Sequence, residues 1–403
     1  MKILQISNRV PWPLNEGGTI GIYNYTRAFS ELGHEVTLYC LDGLKHKTPI
    51  DEAQKELSKY AKTLIHPIDT DIKWDEAIMH ILGNKSYNVS RFYNRIFEHE
   101  IIQLLKDDHY DIVQLEGTFV APYIAAVRNN HKGLLTLRMH NVEHEIWERL
   151  AFVEGNPIKK LYLTLLAKQL KAYETKIIQE VDVITTVTDD DGEKFKELHP
   201  NGKFRTIPAG IDLREWTYTP SKRATNWYHI GSMEWHGNVD AVNWYLSEVH
   251  PRLIELDTDY KLNLAGKSIR AANFQSQSQL KIHSKTLRAF HFVRDCDVCV
   301  VPLRSGSGIR LKILEAMAAG KLVVSTTIGA QGIDYIKGTH LLIADTAAEF
   351  EEVYTKIKNR EINRNLIVEN ARKLIEDNYS TEALVKRQLE FYSKALDIKK
   401  GNH

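Results

Sequence analysis

Cysteine is scarce in this chain: it has three, Cys40, Cys296 and Cys299. Three thiols cannot build a disulfide framework, and they fit a reducing compartment. An excess of one charge sign is also missing. Lysine and arginine total 53 against 52 aspartates and glutamates, a net charge of +1. A generic nucleic-acid binder usually carries a large basic excess, so that class is excluded. No apolar run approaches ~18 residues, which rules out a transmembrane helix. The opening MKILQISNRVPWP is apolar only as far as Asn8 and Arg9, too short for a signal-peptide core, so a cytoplasmic location is expected. Low-complexity tracts and obvious sequence repeats are absent as well.

What remains is ordinary globular material, with 43% hydrophobic and 26% charged residues. A length of 403 residues, against ~150 per domain, asks for two or three domains. Short β-branched or apolar runs recur with helical stretches between them. The first half reads as strands at 2–7, 35–41, 63–68, 111–117, 134–140 and 182–188, with amphipathic helices at 19–32 and 89–106. The second half repeats the alternation, with strands at 226–232, 261–267, 297–303, 322–327 and 340–345. Near-continuous apolar strands separated by helices indicate a parallel sheet covered on both faces. The fold class is therefore α/β, with two doubly wound Rossmann-like domains. The segment from Lys203 to Asn226 carries prolines and little periodicity and reads as the linker. The expected domains are 1–211 and 212–380, with a final helix at 381–399 packing outside its own domain. Such domain pairs usually bind ligand in a cleft, beyond the carboxyl ends of their strands.

After strand 297–303 come Arg304-Ser305-Gly306-Ser307-Gly308 and a helix that ends at Gly320. Glycines between a strand end and a helix start let backbone amides approach an anion. The helix dipole alone contributes about 0.3–1 kcal/mol at an exposed site, so a phosphate needs more, and Arg304, Arg310 and Lys312 are in reach. Glu315 shares a helix face with Lys312 and could accept two bonds from a ribose diol. The alternative is a solubilising Lys312–Glu315 pair. After strand 2–7, Glu16-Gly17-Gly18-Thr19 opens a helix, although a loop needing positive φ would look the same. After strand 134–140 stands His140, placed either to touch a substrate or to bond backbone.

Other patterns are weaker. His140, Glu143 and His144 match an H-x-x-E-H zinc pattern, but His140 ends a strand, so no zinc is expected. The D-x-D pairs Asp257/Asp259 and Asp295/Asp297 precede their strands, and Asp69/Asp71 has no supporting feature, so no metal is expected. Cys296 and Cys299 read as core thiols on opposite faces of a strand. Segment 155–173 holds Lys159, Lys160, Lys168 and Lys171 with no acid, and an apolar stripe of Ile158, Tyr162, Leu166, Leu170 and Tyr173. It could lie on an anionic membrane. More commonly such a stripe packs on the sheet and the lysines are solvated.

Taken together, the residues resemble the GT-B-fold glycosyltransferases, in particular the large retaining family 4. PWPLNEGGTIGIYNYTRAFSELGHEVTLYCLDG is similar to the family's opening strand, glycine loop and helix. IPAGIDLREW resembles its linker signature. HIGSMEWHGNVDAVNWYL resembles a bacterial sugar-transferase subgroup with a Trp-x-x-Asn-x-Asp-Ala element. VPLRSGSGIRLKILEAMAAGKLVVSTTIGAQGI resembles the donor-binding segment. Position by position, Glu315 matches the second glutamate of the Glu-(seven residues)-Glu motif, which holds the ribose. Ser307 stands where the first glutamate usually contacts the donor sugar. The usual Arg and Lys after strand 226–232 are absent from Ser232-Met233-Glu234-Trp235-His236, and Arg310 and Lys312 are expected to compensate.

The resemblance implies a retaining, metal-independent transfer of a sugar from a nucleotide-diphosphate donor to a glycan or lipid-linked acceptor. It implies no cofactor, because the nucleotide-sugar is a substrate. Catalytic groups would be His140, Arg310 and Lys312. Donor binding would fall to Gly17, Gly18, Ser232, Ser307, Gly308, Ile309 and Glu315. Activity of hexosyltransferase type in polysaccharide biosynthesis, with a peripheral contact at the inner membrane face, is the family-level expectation. Two competing functions share the fold: a catalytically silent nucleotide-sugar-binding partner subunit, and a nucleotide-sugar epimerase.

Overall fold

The structure, a computed structural model, describes residues 1–14, 17–43, 48–70, 86–208, 210–272, 274–275, 277–284, 289–305 and 309–401. Contacts divide the chain into two units. One comprises Met1–Pro208 together with Leu384–His403, the other Ala209–Ala383.

Among the described residues the first unit is built on seven parallel strands: β1 (Lys2–Ser7), β2 (Glu35–Gly43), β3 (Lys62–Ile68), β4 (Ile112–Glu116), β5 (Leu134–Met139), β6 (Val183–Thr186) and β7 (Phe204–Thr206). Their order in the sheet is β3-β2-β1-β4-β5-β6-β7. Alternate residues serve opposite faces. Leu4, Ile6, Val113 and Leu115 enter one core cluster, while Ile3, Val36, Leu38 and Ile112 enter the other. Helix α1 (Gly17–Glu31) buries Ile22, Tyr25 and Phe29 in the second cluster. It stops at Gly33, whose φ of 83° lets the amides of Gly33 and His34 return to the carbonyls of Ser30 and Phe29. Helices α2 (Glu143–Val153) and α3 (Pro157–Ile177) form a hairpin between β5 and β6. The last helix, α4 (Thr381–Gly401), returns Leu384, Val385, Leu389 and Tyr392 to the cluster beneath α1. The Tyr392 hydroxyl, 3.0 Å from Gln114 Oε1, and Gln388 Nε2, 2.9 Å from it, tie that helix to β4.

The described residues of the second unit form six parallel strands: β8 (Asn226–Ile230), β9 (Lys261–Ala265), β10 (Leu280–His283), β11 (Val298–Val301), β12 (Leu322–Ser325) and β13 (Leu342–Ile343), in the order β10-β9-β8-β11-β12-β13. Trp227, Val298, Val300 and Val324 face one core cluster, and Tyr228, Cys299, Val301 and Val323 the other. Two helices of this unit start where strands end: α5 (His236–Trp244), after β8, and α6 (Leu311–Ala318), after β11.

Four expectations are corrected. The segment 203–226 is not a bare linker: β7 pairs Phe204–Thr206 with β6. From Ala209 onward the chain belongs to the second unit, where Ile211 and Trp216 are buried in a core cluster. Helix 89–106 is two helices, Tyr87–Ser90 and Arg95–Asp107, because the Asn94 side chain caps the amides of Ile96 and Phe97. The half-exposed edge strand β10 went unread because LKIH has no apolar run. Finally, Cys296 precedes β11 instead of lying on it, and it shares one core cluster with Cys299.

Candidate active site

In each sheet the strand order reverses once, between β1 and β4 and between β8 and β11. Ligands of open parallel sheets bind beyond the carboxyl ends at such reversals. The side chains gathered there are the place to look for chemistry.

In the second unit, β8 runs out at Gly231 and Ser232, opposite the start of α6. Lys312, in the first turn of α6, turns its Nζ onto Asn238 Oδ1 at 2.8 Å and His229 Nε2 at 3.3 Å. His229 hydrogen-bonds through Nδ1 to the carbonyl of Val300 at 2.9 Å, so Nδ1 carries the proton and Nε2 offers its lone pair to the lysine. Burial and the adjacent Lys312 push the His229 pKa down to about 3, which keeps the ring neutral. Burial likewise lowers the Lys312 ammonium to about 8. A cation at a helix N-terminus opposes the dipole. Its position there therefore does not stabilise the helix, and it is suited to meeting an anion. Asn238 holds both sides of the arrangement, since its Nδ2 donates to the Ser232 carbonyl at 2.8 Å. Gly231 leaves the room: a Cβ there would stand 2.7 Å from both Lys312 Nζ and Asn238 Nδ2.

Glu315 lies one turn along α6 from Lys312. Burial drives its carboxyl up to about 7, against the pull of Lys312. No side-chain hydrogen bond or ion pair reaches Glu315 among the described residues, so the carboxylate can accept from hydroxyl donors. Both residues are half-buried, and Lys312 Nζ goes to Asn238 and His229 instead of Glu315, which overturns the reading of Lys312 and Glu315 as a solubilising pair. Arg310, immediately before α6, stacks its guanidinium over Trp235 at 5.2 Å, and burial lowers its pKa. Arg304 is committed elsewhere. It forks onto Asp240 of α5 and lies over the ring of Trp244 at 5.8 Å, so it is not free for a phosphate. The Ser232 hydroxyl accepts the amide of Glu234 at 3.3 Å, and Ile309 packs against the core. Ser307 and Gly308 lie outside the described residues.

In the first unit, a cavity of about 170 Å³ opens beyond β1, β4 and β5, lined by Asn8, Arg9, Gly18, Glu116, His140 and Glu143 among others. Its floor is an ionic network. Glu116, the last residue of β4 and fully buried, accepts from Gln5 Nε2 at 2.6 Å, Arg138 Nη1 at 3.1 Å and His140 Nε2 at 2.9 Å. Arg138 is equally buried and stacks on Tyr25 at 3.9 Å. Burial pushes the Glu116 carboxyl up, but Arg138 and the His140 bond outweigh it and hold it at about 2. Burial in turn lowers His140 despite Glu116, so the ring is neutral near pH 7, with Nε2 donating to Glu116 and the Nδ1 lone pair left over. That lone pair can accept from a hydroxyl. Gly18 sits in the first turn of α1, not in a left-handed loop, and Gly17 opens the same helix.

The H-x-x-E-H pattern separates. His140 bonds Glu116, whereas His144 Nδ1 lies 2.6 Å from Glu174, which also caps the Glu143 and His144 amides. Among the described residues no group of three or more His, Cys, Asp or Glu is placed to hold a metal ion. Asp71 falls outside the described residues. Sequence reading missed Glu116, Arg138, His229 and Asn238. A signal existed for the first three, because each is the lone Glu, Arg or His near the carboxyl end of an otherwise largely apolar, mostly buried strand.

Comparison with known proteins adds an independent line. Residues 16–215 match the family model described as Glycosyltransferase Family 4, and residues 225–359 match Glycosyl transferases group 1. An uncharacterized 44.6 kDa protein in the cps region of Klebsiella pneumoniae is 24% identical, over 94% of this chain and 97% of its own. Among solved structures, HepE of Anabaena in complex with UDP superposes with a TM-score of 0.60 at 12% identity, covering 98% of this chain and 100% of that one. A TarM variant of S. aureus, in complex with fondaparinux, α-GlcNAc-glycerol and UDP, does so at 0.62 and 14% identity, covering 97% and 99%. At these identities the likeness establishes the fold: two parallel-sheet α/β units of the kind seen in GT-B glycosyltransferases.

Proposed function

The chain belongs to the family 4 glycosyltransferases, and on that premise we propose that it moves a sugar from a nucleoside-diphosphate donor to a glycan or lipid-linked acceptor. The reaction retains anomeric configuration and needs no metal. One observation carries this reading: on one face of α6, a half-buried lysine held by Asn238 and His229 precedes by one turn a half-buried carboxylate with no hydrogen-bond donor among the described residues. Lys312 and Arg310 suit a diphosphate, and Glu315 suits the two hydroxyls of a ribose. Solved complexes of HepE contain UDP and UDP-glucose, which supports a nucleotide-sugar donor here.

Sugar transfer builds negative charge on the leaving phosphate. Preorganised donors aimed at that charge lower the barrier, and losing one typically costs ~3–4 kcal/mol. Lys312 is preorganised in this sense, because Asn238 and His229 fix its ammonium before any ligand arrives. Departure of the diphosphate leaves its oxygen to accept the acceptor's proton, so no separate carboxylate base is required. In the first unit, His140 offers Nδ1 to a sugar hydroxyl, held in that tautomer by Glu116. The TarM complex holds α-GlcNAc-glycerol and fondaparinux, in line with a glycan-type acceptor. The Klebsiella relative in a cps region supports a role in polysaccharide assembly.

The test is nucleoside-diphosphate release from UDP-, GDP- and dTDP-sugars, with and without chelator, against simple and lipid-linked sugar acceptors. Chelator-resistant release from one donor, with an NMR-defined product of unchanged anomeric configuration, is expected. Loss of release with chelator, or an inverted product, refutes the mechanism. Nucleotide binding with no turnover across the panel favours the silent partner subunit, which Ser307 in place of the usual glutamate would fit. Conversion of a donor without acceptor identifies an epimerase.

A further inference from the structure

The α2–α3 hairpin carries apolar side chains on its outside. Phe152 and Ile158, either side of the turn, are each 81% exposed, and Leu161 is 62% exposed. Leu165 and Leu150 add to them at 40% and 45%. Residues 158, 161 and 165 follow the i, i+3, i+7 spacing of a single helix face. The core face of α3 is separate, made by Leu163, Leu166, Ala167 and Leu170. Helix α3 is therefore apolar on two sides, of which only one packs into the core among the described residues. The stripe expected from the sequence mixes the two, since Ile158 points outward while Leu166 and Leu170 point inward. Contiguous exposed apolar surface of this kind marks an interaction site.

Charge identifies the partner. Lys160, Lys168 and Lys171 are exposed on α3 and form no ion pair among the described residues. Lys159 pairs with Glu154 across the turn at 2.6 Å. Between Gly155 and Tyr173 there is no acid. A symmetric contact with a second copy would bring these lysines against one another. We infer that the outer face of the α2–α3 hairpin docks on a bilayer containing anionic lipid, with Phe152, Ile158 and Leu161 entering the acyl boundary and the lysines meeting headgroup phosphates. This deepens the proposed function, because it brings the enzyme to the surface where a lipid-linked acceptor resides, but docking itself does not depend on the activity.

The experiment is flotation of the full-length protein with vesicles of phosphatidylethanolamine and phosphatidylglycerol, compared with vesicles of phosphatidylcholine alone. Selective flotation with the anionic vesicles, weakened by salt, is expected. Each lysine near an anionic surface contributes about fivefold, so a Lys160→Gln/Lys168→Gln/Lys171→Gln variant should bind roughly a hundredfold more weakly. A Phe152→Ser/Ile158→Ser/Leu161→Ser variant should lose the binding that persists at high salt. Both variants should keep the wild-type circular dichroism spectrum and melting midpoint, since all six residues are exposed. Equal flotation with both vesicle types, or variants that float like wild type, overturns the inference. So does a dimer in light scattering that the serine variant dissolves while neither protein floats. Failure of the transferase reading has a different signature: no diphosphate release from any donor, with flotation unchanged.

Discussion

Replacing Glu315 by glutamine should make the unliganded protein more stable and its nucleotide binding weaker. Burial lifts the Glu315 carboxyl from an ordinary 4.5 to about 7. Between those two values the folded chain keeps a proton that the unfolded chain has released, so stability falls as pH rises through that window. Above pH 7 the full cost is present, about 3 kcal/mol as an upper limit. Glutamine has no charge to desolvate. Glu315→Gln should therefore match wild type near pH 5 and exceed it near pH 8. Lys312 gives back part of the gain, because it loses its nearest counter-charge. For a unit of this size 1 kcal/mol moves a melting midpoint by roughly 2–4 °C, so the midpoint should rise by several degrees at pH 8.

Two measurements check this. Thermal unfolding at pH 5 and pH 8, with hydrogen exchange assigning the transition of the second unit, reads the stability difference. Calorimetric titration with the nucleoside diphosphate of the active donor reads function. Charge-assisted hydrogen bonds are worth ~1.5–3 kcal/mol each, so affinity should fall about 10- to 100-fold. Nucleotide binding to wild type should also release protons near pH 7, because ribose hydroxyls donating to the carboxylate favour its ionised form. Repeating the titration in buffers of different ionisation enthalpy exposes that release. A variant whose pH-dependent melting equals wild type, or one that binds nucleotide undiminished, refutes the reasoning.

The same geometry sets three further outcomes. Lys312→Met should weaken diphosphate binding about 10- to 100-fold; wild-type affinity should decline above pH 8 as the ammonium, lowered to about 8, loses its proton, and a flat affinity–pH curve contradicts the assignment. Glu116→Gln strips the buried partner from Arg138 and His140 and should destabilise the first unit by roughly 3–5 kcal/mol at neutral pH. The Glu116 contribution to wild-type stability is present above its ordinary 4.5 and lost as pH falls toward about 2, so the deficit of the variant should shrink across that range in acid-unfolding curves. Gly231→Ala and Gly266→Ala should differ in kind. The first places a Cβ 2.7 Å from the movable ends of Lys312 and Asn238, and should cost nucleotide affinity with the fold intact. The second drives a Cβ to 1.7 Å from the Gly231 carbonyl at a φ of 144°, and should yield misfolded protein by circular dichroism.

The sheet was legible in the sequence, since apolar β-branched runs declare buried parallel strands. What failed to declare itself was short or polar, as with β7 and β10. The candidate site was half legible for a related reason. Lys312 and Glu315 are three residues apart on one helix, so local spacing suffices to bring them together. Their supports come from other elements. Asn238 reaches Lys312 from α5 and His229 reaches it from β8, across 74 and 83 residues of chain. Glu116 and Arg138 become a pair through the register of β4 against β5, where they stand directly opposite. Each is the one charged residue of its strand, and charge of either sign alone inside a doubly covered sheet is costly enough to demand a partner. Two adjacent buried strands carrying single opposite charges near their carboxyl ends thus constitute a readable signal, provided the strand order is known. That order follows from connectivity: β4 must lie beside β1 on the side away from β2 for the sheet to be doubly wound, and β5 then falls next to β4. The network under His140 is a consequence of topology acting on two charges, which explains why no local pattern around His140 announced it.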